Sequence, residues 1–317
     1  MNDKLINRPV DYEGAEEILH GRFEGAPYAS PVQPNQLTLE DEFQFRCHPG
    51  IACFNECCRN IDITIMPYDI VRLKQRLGVT SSEFVARYTL PYEMDHHGMV
   101  GLKMRTKPGG AECVFLTEAG CSVYEDRPAA CRYYALGSMG VRKKDSTQVE
   151  DIFFVVKEPH CLGHNEPQTQ TVAEYRTDQG IEKYDEMNHA WRDIVIKKRS
   201  SGPTVGKPSE RSMQLFDMCS YDVDSLRDFL QTEGFQEIFE LDETTMGKLL
   251  SDDDQLLQFG FRFLKQVLFG EASIPVSETG RHRRREARRE HIANKRKVDT
   301  EAHKAHDPRD DAAAEDR

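Results

Sequence analysis

The chain has 317 residues, 38% apolar and 30% charged, and carries a formal net charge of −12. A mean hydropathy of −0.65, with no run of about 18 apolar residues, excludes a helical membrane span, and the opening MNDKLINRPVDYEGAEE has no charged-then-apolar leader, so a cytoplasmic protein is expected. The charge is uneven: residues 281–298 hold nine Lys/Arg against two Glu, about +7, leaving about −19 elsewhere, and an acidic body excludes general nucleic-acid binding because phosphate contacts need Lys and Arg.

Taken in chain order, residues 1–40 read as an extended arm interrupted by Pro9, Pro27, Pro31 and Pro34, with a short helix over 11–23. The alternation of Ile61, Ile63 and Ile65 predicts a strand. Pro67 suits the first turn of a helix closed by Gly78. Thr80 and Glu83 have capping-box spacing for the next helix, SSEFVARYTL. Residues 99–107 alternate as a strand, and Pro108-Gly109-Gly110 makes a turn. ECVFL and GCSVY predict a hairpin around TEAG, and EDRPAACRYYALG a helical turn or tight loop. IFFVV (152–156) is a strand, and 182–199 an amphipathic helix with Tyr184, Met187, Trp191, Ile194 and Val195 on one stripe. SSGPTVGKPSE reads as a linker at 200–210. Three helices follow, in 216–231, 236–241 and 253–269. The charged tail 276–317 is expected to be disordered or a solvated helix.

The fold class is therefore α+β and irregular. A metal-organised, cysteine-rich domain at 41–199 has short strands and helices, and a small helical segment (211–275) and the tail follow. What points to metal is the placing of the nine cysteines. Cys47, Cys53, Cys57 and Cys58 fall within twelve residues, Cys113, Cys121 and Cys131 within nineteen, and Cys161 follows; Cys219 stands apart and reads as a buried thiol. In a reducing compartment grouped cysteines are metal ligands or redox centres more often than disulfides. The spacing matches neither a zinc-finger knuckle nor a ferredoxin pattern, so it does not name the metal. Neighbouring side chains diverge, so Cys57 and Cys58 fit two sites, or adjoining positions of a larger cluster, better than one small ion. Eight thiols satisfy two four-thiolate sites, or one site and a remainder. A four-thiolate zinc or an oxidised four-iron cluster carries about −2, which Arg46, Arg59, Arg127 and Arg132 stand close enough in sequence to offset.

The run CHPGIACFNECC followed by CVFLTEAGCSVYEDRPAACRYYALG resembles the YkgJ-type cysteine-cluster family of zinc- or iron-chelating domains. The shared phrase is carried by Cys113, Phe115, Leu116, Gly120, Cys121, Val123, Tyr124, Glu125, Arg127, Pro128, Cys131 and Arg132, over about residues 42–165. The resemblance implies metal binding by Cys47, Cys53, Cys57, Cys58, Cys113, Cys121 and Cys131, with Cys161 as the later cysteine of longer members. The five-residue gap after Cys47 is longer than the two or three expected of the family. The first expectation is an iron–sulfur cluster in electron transfer or redox-assisted chemistry, with an unidentified redox or protein partner. The alternatives are a zinc-stabilised interaction module without catalysis and a cluster-dependent modifying enzyme.

His160 and His164 flank Cys161 as ligands or, more commonly, as loop residues; His96-His97 reads as a solvated turn. Asp69, Glu83 and Glu125 are assigned to capping or the surface. No nucleotide-binding, nucleophile-elbow or metalloprotease motif occurs. The basic run 281–298 could contact RNA or an acidic surface, but its Arg/Glu spacing equally suits a solvated helix.

Overall fold

The computed structural model describes residues 31–33, 35–94, 99–142, 149–200 and 209–283, with 285, 286, 289 and 292–294 beyond them. The helix expected over 11–23, the His96-His97 turn, nearly all of 200–210 and most of the tail lie outside these residues. The chain divides into two units, one ending at Asp222 and one starting at Val223.

The first unit is α+β, with small antiparallel sheets joined by loops. β1 (Glu42–Gln44) pairs with β9 (Thr169–Thr171), and β2 (Thr64–Ile65) and β3 (Thr89–Glu93) flank β4 (Val100–Met104). The hairpin β5–β6 (Leu116–Thr117, Gly120–Cys121) has two residues a side, and β7 (Leu136–Arg142) pairs with β8 (Val149–Val155) along its whole length. The expected strand 61–65 keeps only Thr64 and Ile65 in a ladder.

Helices brace these ribbons. α1 (Pro67–Leu77) starts with the proline in its first turn and ends at Gly78, whose φ of 64° is a left-handed cap that suits glycine. α2 (Ser81–Tyr88) is opened by the Thr80–Glu83 capping box, and Thr89 then leaves the helix for β3. α3 (Ala129–Tyr133) is the short helix carrying Cys131, while α4 (Val172–Gln179) and α5 (Ile181–Ser200) form the far wall. The stripe of α5 is buried as its period requires: Tyr184, Met187, Trp191, Ile194 and Val195 all face the core. A second cluster, Phe43, Phe45, Leu136, Phe153, Val172, Tyr175 and Ile181, seals β1, β7, β8 and α4 together.

α6 (Glu210–Tyr221) belongs to this first unit, although its sequence reads on into the helices beyond it. Trp191 donates its indole N–H to Ser220 at 3.0 Å, and the Tyr221 hydroxyl donates to the Val100 carbonyl at 3.1 Å. The backbone turns out of helix at Asp222 (φ −133°, ψ 74°), where both carboxylate oxygens accept from Ser81 and Ser82 at 2.6 Å. That break splits the single helix expected over 216–231.

The second unit holds α7 (Val223–Leu230), α8 (Glu233–Ile238), α9 (Glu243–Ser251) and α10 (Asp253–Phe269). Its core is aromatic: Phe235 meets Phe229, Phe239, Phe259 and Phe263 with ring centroids 4.8–6.3 Å apart. Gln266 closes the far end by accepting from the backbone N–H groups of Ser273 and Ile274. Residues 278–283 and the described residues after them are helical and mostly exposed, as the solvated-helix reading of the basic run expects. No helix among the described residues is long and apolar enough to cross a membrane.

Candidate metal centre

Three loops bring the grouped cysteines together. The first leaves β1: Arg46 N–H donates to the Gly163 carbonyl at 3.0 Å, laying Cys47 beside the Cys161 loop. Consecutive tight turns then run through Cys53 to a short 3-10 helix, Glu56–Cys58. Asn55, which opens it, has φ 68°, a left-handed conformation that asparagine tolerates better than most side chains.

The second loop is the hairpin. Cys113 N–H donates to the Cys58 carbonyl at 2.8 Å, and Cys121 pairs with Leu116 across the ladder. Gly120 has φ +110°, a conformation close to glycine's preserve, and a Cβ built on it would sit 3.4 Å from the Asn55 amide. The two left-handed residues thus meet where the first two loops touch.

Cys131 arrives on α3, which is anchored from below. Asp69 is fully buried; one carboxylate oxygen accepts from Met66 N–H at 2.8 Å and the other from Ala129 N–H at 2.9 Å. It therefore caps α1 and pins the start of α3 at once. Burial pushes its pKa up to about 7, against the pull of those two N–H groups and of Arg132. Arg132, 7% exposed, lies over the Tyr184 ring and donates to the carbonyls of Glu125, Arg127 and Gln179. The RP-x-x-CR phrase is thus partly a folding clamp: Arg132 satisfies carbonyls. Arg127, stacked on Tyr124, is a cation that partly opposes the burial-driven rise in the pKa of Cys47 and Cys121. Arg59 pairs with Glu56 and Glu112 on the surface.

The third loop carries Cys161. Leu162 N–H donates to the Cys53 sulfur at 3.2 Å, a contact that stabilises a thiolate. The Tyr134 hydroxyl is buried next to Cys161 and Glu158.

All nine cysteines are free thiols; Cys47 and Cys57 are exposed, Cys113 is buried, and the other five grouped ones are half-buried. Burial first, and each other's charge second, lifts Cys47 to about 11. The Cys57–Cys58 hydrogen bond lifts Cys58 and lowers Cys57. Burial lifts Cys113, Cys121, Cys131 and Cys161. A set of thiols that resist ionising together is what a cation would relieve, since coordination deprotonates the sulfur and offsets its charge. Among the described residues, no three His, Cys, Asp or Glu side chains already stand in metal-holding geometry. The donor set fits a thiophilic metal in kind, with the sulfurs gathered but not closed.

The histidines near the site have other partners. His164 is buried against Phe45 and shares a hydrogen bond with the Val156 carbonyl at 3.1 Å, and burial holds its pKa low. His160 pairs with Glu158, and His48 with Glu166 and the Gly50 N–H. Sequence reasoning left unseen Asp69 as the joint of two helices, Tyr134 beside Cys161 and His48 near the first loop; only the Pro67-x-Asp69 helix start carried a signal. Glu83 caps α2 as assigned, and Cys219 is fully buried on α6, its pKa raised by burial alone.

Comparison with known proteins agrees with the site. Residues 46–162 match the family model CxxCxxCC, described as a putative zinc- or iron-chelating domain. No curated protein and no solved structure matches the chain. The matched segment contains all eight grouped cysteines, although Cys47-x5-Cys53-x3-Cys57-Cys58 is spaced more widely than the family's name. Residues 46–162, a little over a third of the chain, are thus similar to a family of zinc- or iron-chelating domains.

Proposed function

We propose that the domain holds an iron–sulfur cluster through Cys47, Cys53, Cys57, Cys58, Cys113, Cys121, Cys131 and Cys161, and serves electron transfer or redox-assisted chemistry. The observation that carries the reading is the backbone N–H of Leu162 donated to the Cys53 sulfur inside a gathering of thiols. N–H···S bonds and burial are the levers by which proteins set cluster potentials. When bound, such a group would accept and release one electron at a time. The chain's own part is to supply thiolates, to balance their charge with Arg127, and to hold the helix that carries Cys131 through Asp69 and Arg132. Cys47 and Cys57, being exposed, put one edge of the site within reach of a redox or protein partner. A cytoplasmic setting belongs to this proposal, because the donors must stay reduced.

A zinc-stabilised interaction module is the second reading. It is favoured by the all-thiol donor set, which suits structural zinc equally well. Purification of the full chain without air distinguishes the two. Broad absorption near about 400 nm with iron and acid-labile sulfide is the expected result. A colourless protein loaded with zinc would establish the second reading instead.

A further inference from the structure

We infer that the basic helix beginning at residue 278 docks double-stranded RNA, gripping its phosphates through Arg281, Arg285 and Arg289. The stripe lies in the second unit, and its role is independent of any metal held in the first.

The helix is fixed at its root. Ser277 N–H donates to the Ile238 carbonyl at 2.9 Å, and the Ser277 hydroxyl donates to the Glu237 carbonyl while accepting from Gly280 N–H. A Cβ at Gly280 would stand 2.6 Å from the Ile238 carbonyl oxygen, so glycine lets the first turn approach the end of α8 this closely. The carboxylates then serve one side. Arg283 pairs with Glu237 at 2.7 Å, and His282 with Glu286 at 3.3 Å. Arg281, Arg285 and Arg289, all helical and exposed, stand at intervals of four residues, which puts them on one face, away from Arg283. Their printed bonds go to backbone: Arg281 donates to the Val276 carbonyl and Arg285 to that of Arg281. Among the described residues none of the three pairs with a carboxylate. Folding has compensated one side of this helix and left the other cationic.

Charge complementarity selects the occupant. Successive arginines are about 6 Å apart along the axis, while a nucleic-acid duplex carries one negative charge per about 1.7 Å. Each guanidinium therefore meets a phosphate, which it can bind with two parallel N–H donors. A membrane would require an apolar face; Ile292 is the only large apolar side chain among the described residues of the helix. A single strand would require aromatic rings for base stacking, and none occurs in residues 278–298. RNA is favoured over DNA by groove shape. The narrow A-form major groove brings phosphates of both strands to one stripe, whereas the B-form groove, about 12 Å wide, holds them apart. Phosphate contacts carry no sequence information, so recognition is of the duplex and not of its bases. The rest of the chain, about −19, repels the same polymer and confines contact to this helix, since its field fades over about 8 Å at physiological salt.

The test is fluorescence anisotropy of a labelled short RNA duplex titrated with the full chain, purified without air. Arg281→Gln/Arg285→Gln/Arg289→Gln should weaken binding at least about tenfold and reduce the slope of log affinity against log salt by about 2–3. Arg283→Gln, on the opposite side, should leave that slope unchanged. Because three substitutions could melt the helix, the wild-type protein supplies a second reading: its affinity should fall steeply with salt and be insensitive to the sequence of the duplex. An unchanged slope in the triple variant, or a salt-independent wild type, would overturn the proposal. So would equal binding of the matching DNA duplex or of polyglutamate, or tighter binding to phosphatidylglycerol vesicles.

Discussion

The two units reach order by opposite means. In the second, rings do the work: Phe235, 1% exposed, touches four other phenylalanines, and the buried Leu226, Leu230, Leu256 and Leu264 surround them. Around the cysteines of the first, β5 and β6 are two residues long and the loops hang on polar anchors, Asp69 and Arg132 above all. Apolar burial dominates in the one. In the other it is confined to the walls, and the loops between them carry thiols that oppose each other's ionisation. A region of this kind gains stability from whatever binds it, because ligation to the folded state is itself folding free energy.

The contrast can be broken or sharpened by experiment. The largest effect should come from metal removal. In calorimetry with excess chelator, the transition of the first unit should fall by an amount on the order of 10 kcal/mol of apparent stability, the scale of structural metal sites, while that of the second stays put. Phe235→Ala should do the reverse. It should cost the second unit about 3–5 kcal/mol as a large buried ring is lost, measurable by urea unfolding, with metal content per chain unchanged. Arg132→Met should come next. It strips donors from three carbonyls and one tyrosine hydroxyl, costing about 2–4 kcal/mol and loosening metal retention during dialysis; unaltered retention would show that the clamp does not shape the site.

The smallest effect should be that of Asp217 on α6. One of its carboxylate oxygens is buried without a partner, and burial raises its pKa to about 6. A carboxyl whose pKa is higher folded than unfolded holds more protons in the native state between about pH 4 and 6, so its contribution to stability declines as pH rises through that window. Asp217→Asn should therefore raise the melting temperature of the first unit at pH 7.5 and flatten its pH profile over pH 4–6. The gain should be below about 1 kcal/mol, because partial exposure screens the charge.

Local rules were legible in the sequence and long-range ones were not. Thr80 with Glu83, Pro67 and Gly78 mark their helix ends because caps depend on a few adjacent residues. The α5 stripe was readable from its period. β1 with β9 was not, because Phe43 meets Gln170 across more than a hundred residues and three-residue strands have too little alternation to detect. β7 was hidden by its glycines, Gly137 and Gly140, which interrupt the apolar alternation but pair with Phe154 and Asp151. The break at Asp222 was invisible because the apolar pattern runs through it; it is fixed by two serines 140 and 141 residues away. At the site, grouping identified the thiols. Which of them are neighbours follows from the hydrogen bonds of Arg46, Cys113 and Leu162, and none of those is a side-chain signal.

The central claim is that cysteine sulfur alone holds metal in this chain. X-ray absorption at the iron and zinc edges of the full chain, purified without air, tests it most directly. The account predicts a sulfur-only first shell at about 2.3 Å, with an iron–iron shell behind it. Imidazole nitrogen in the first shell, or no bound metal at either edge, would contradict it.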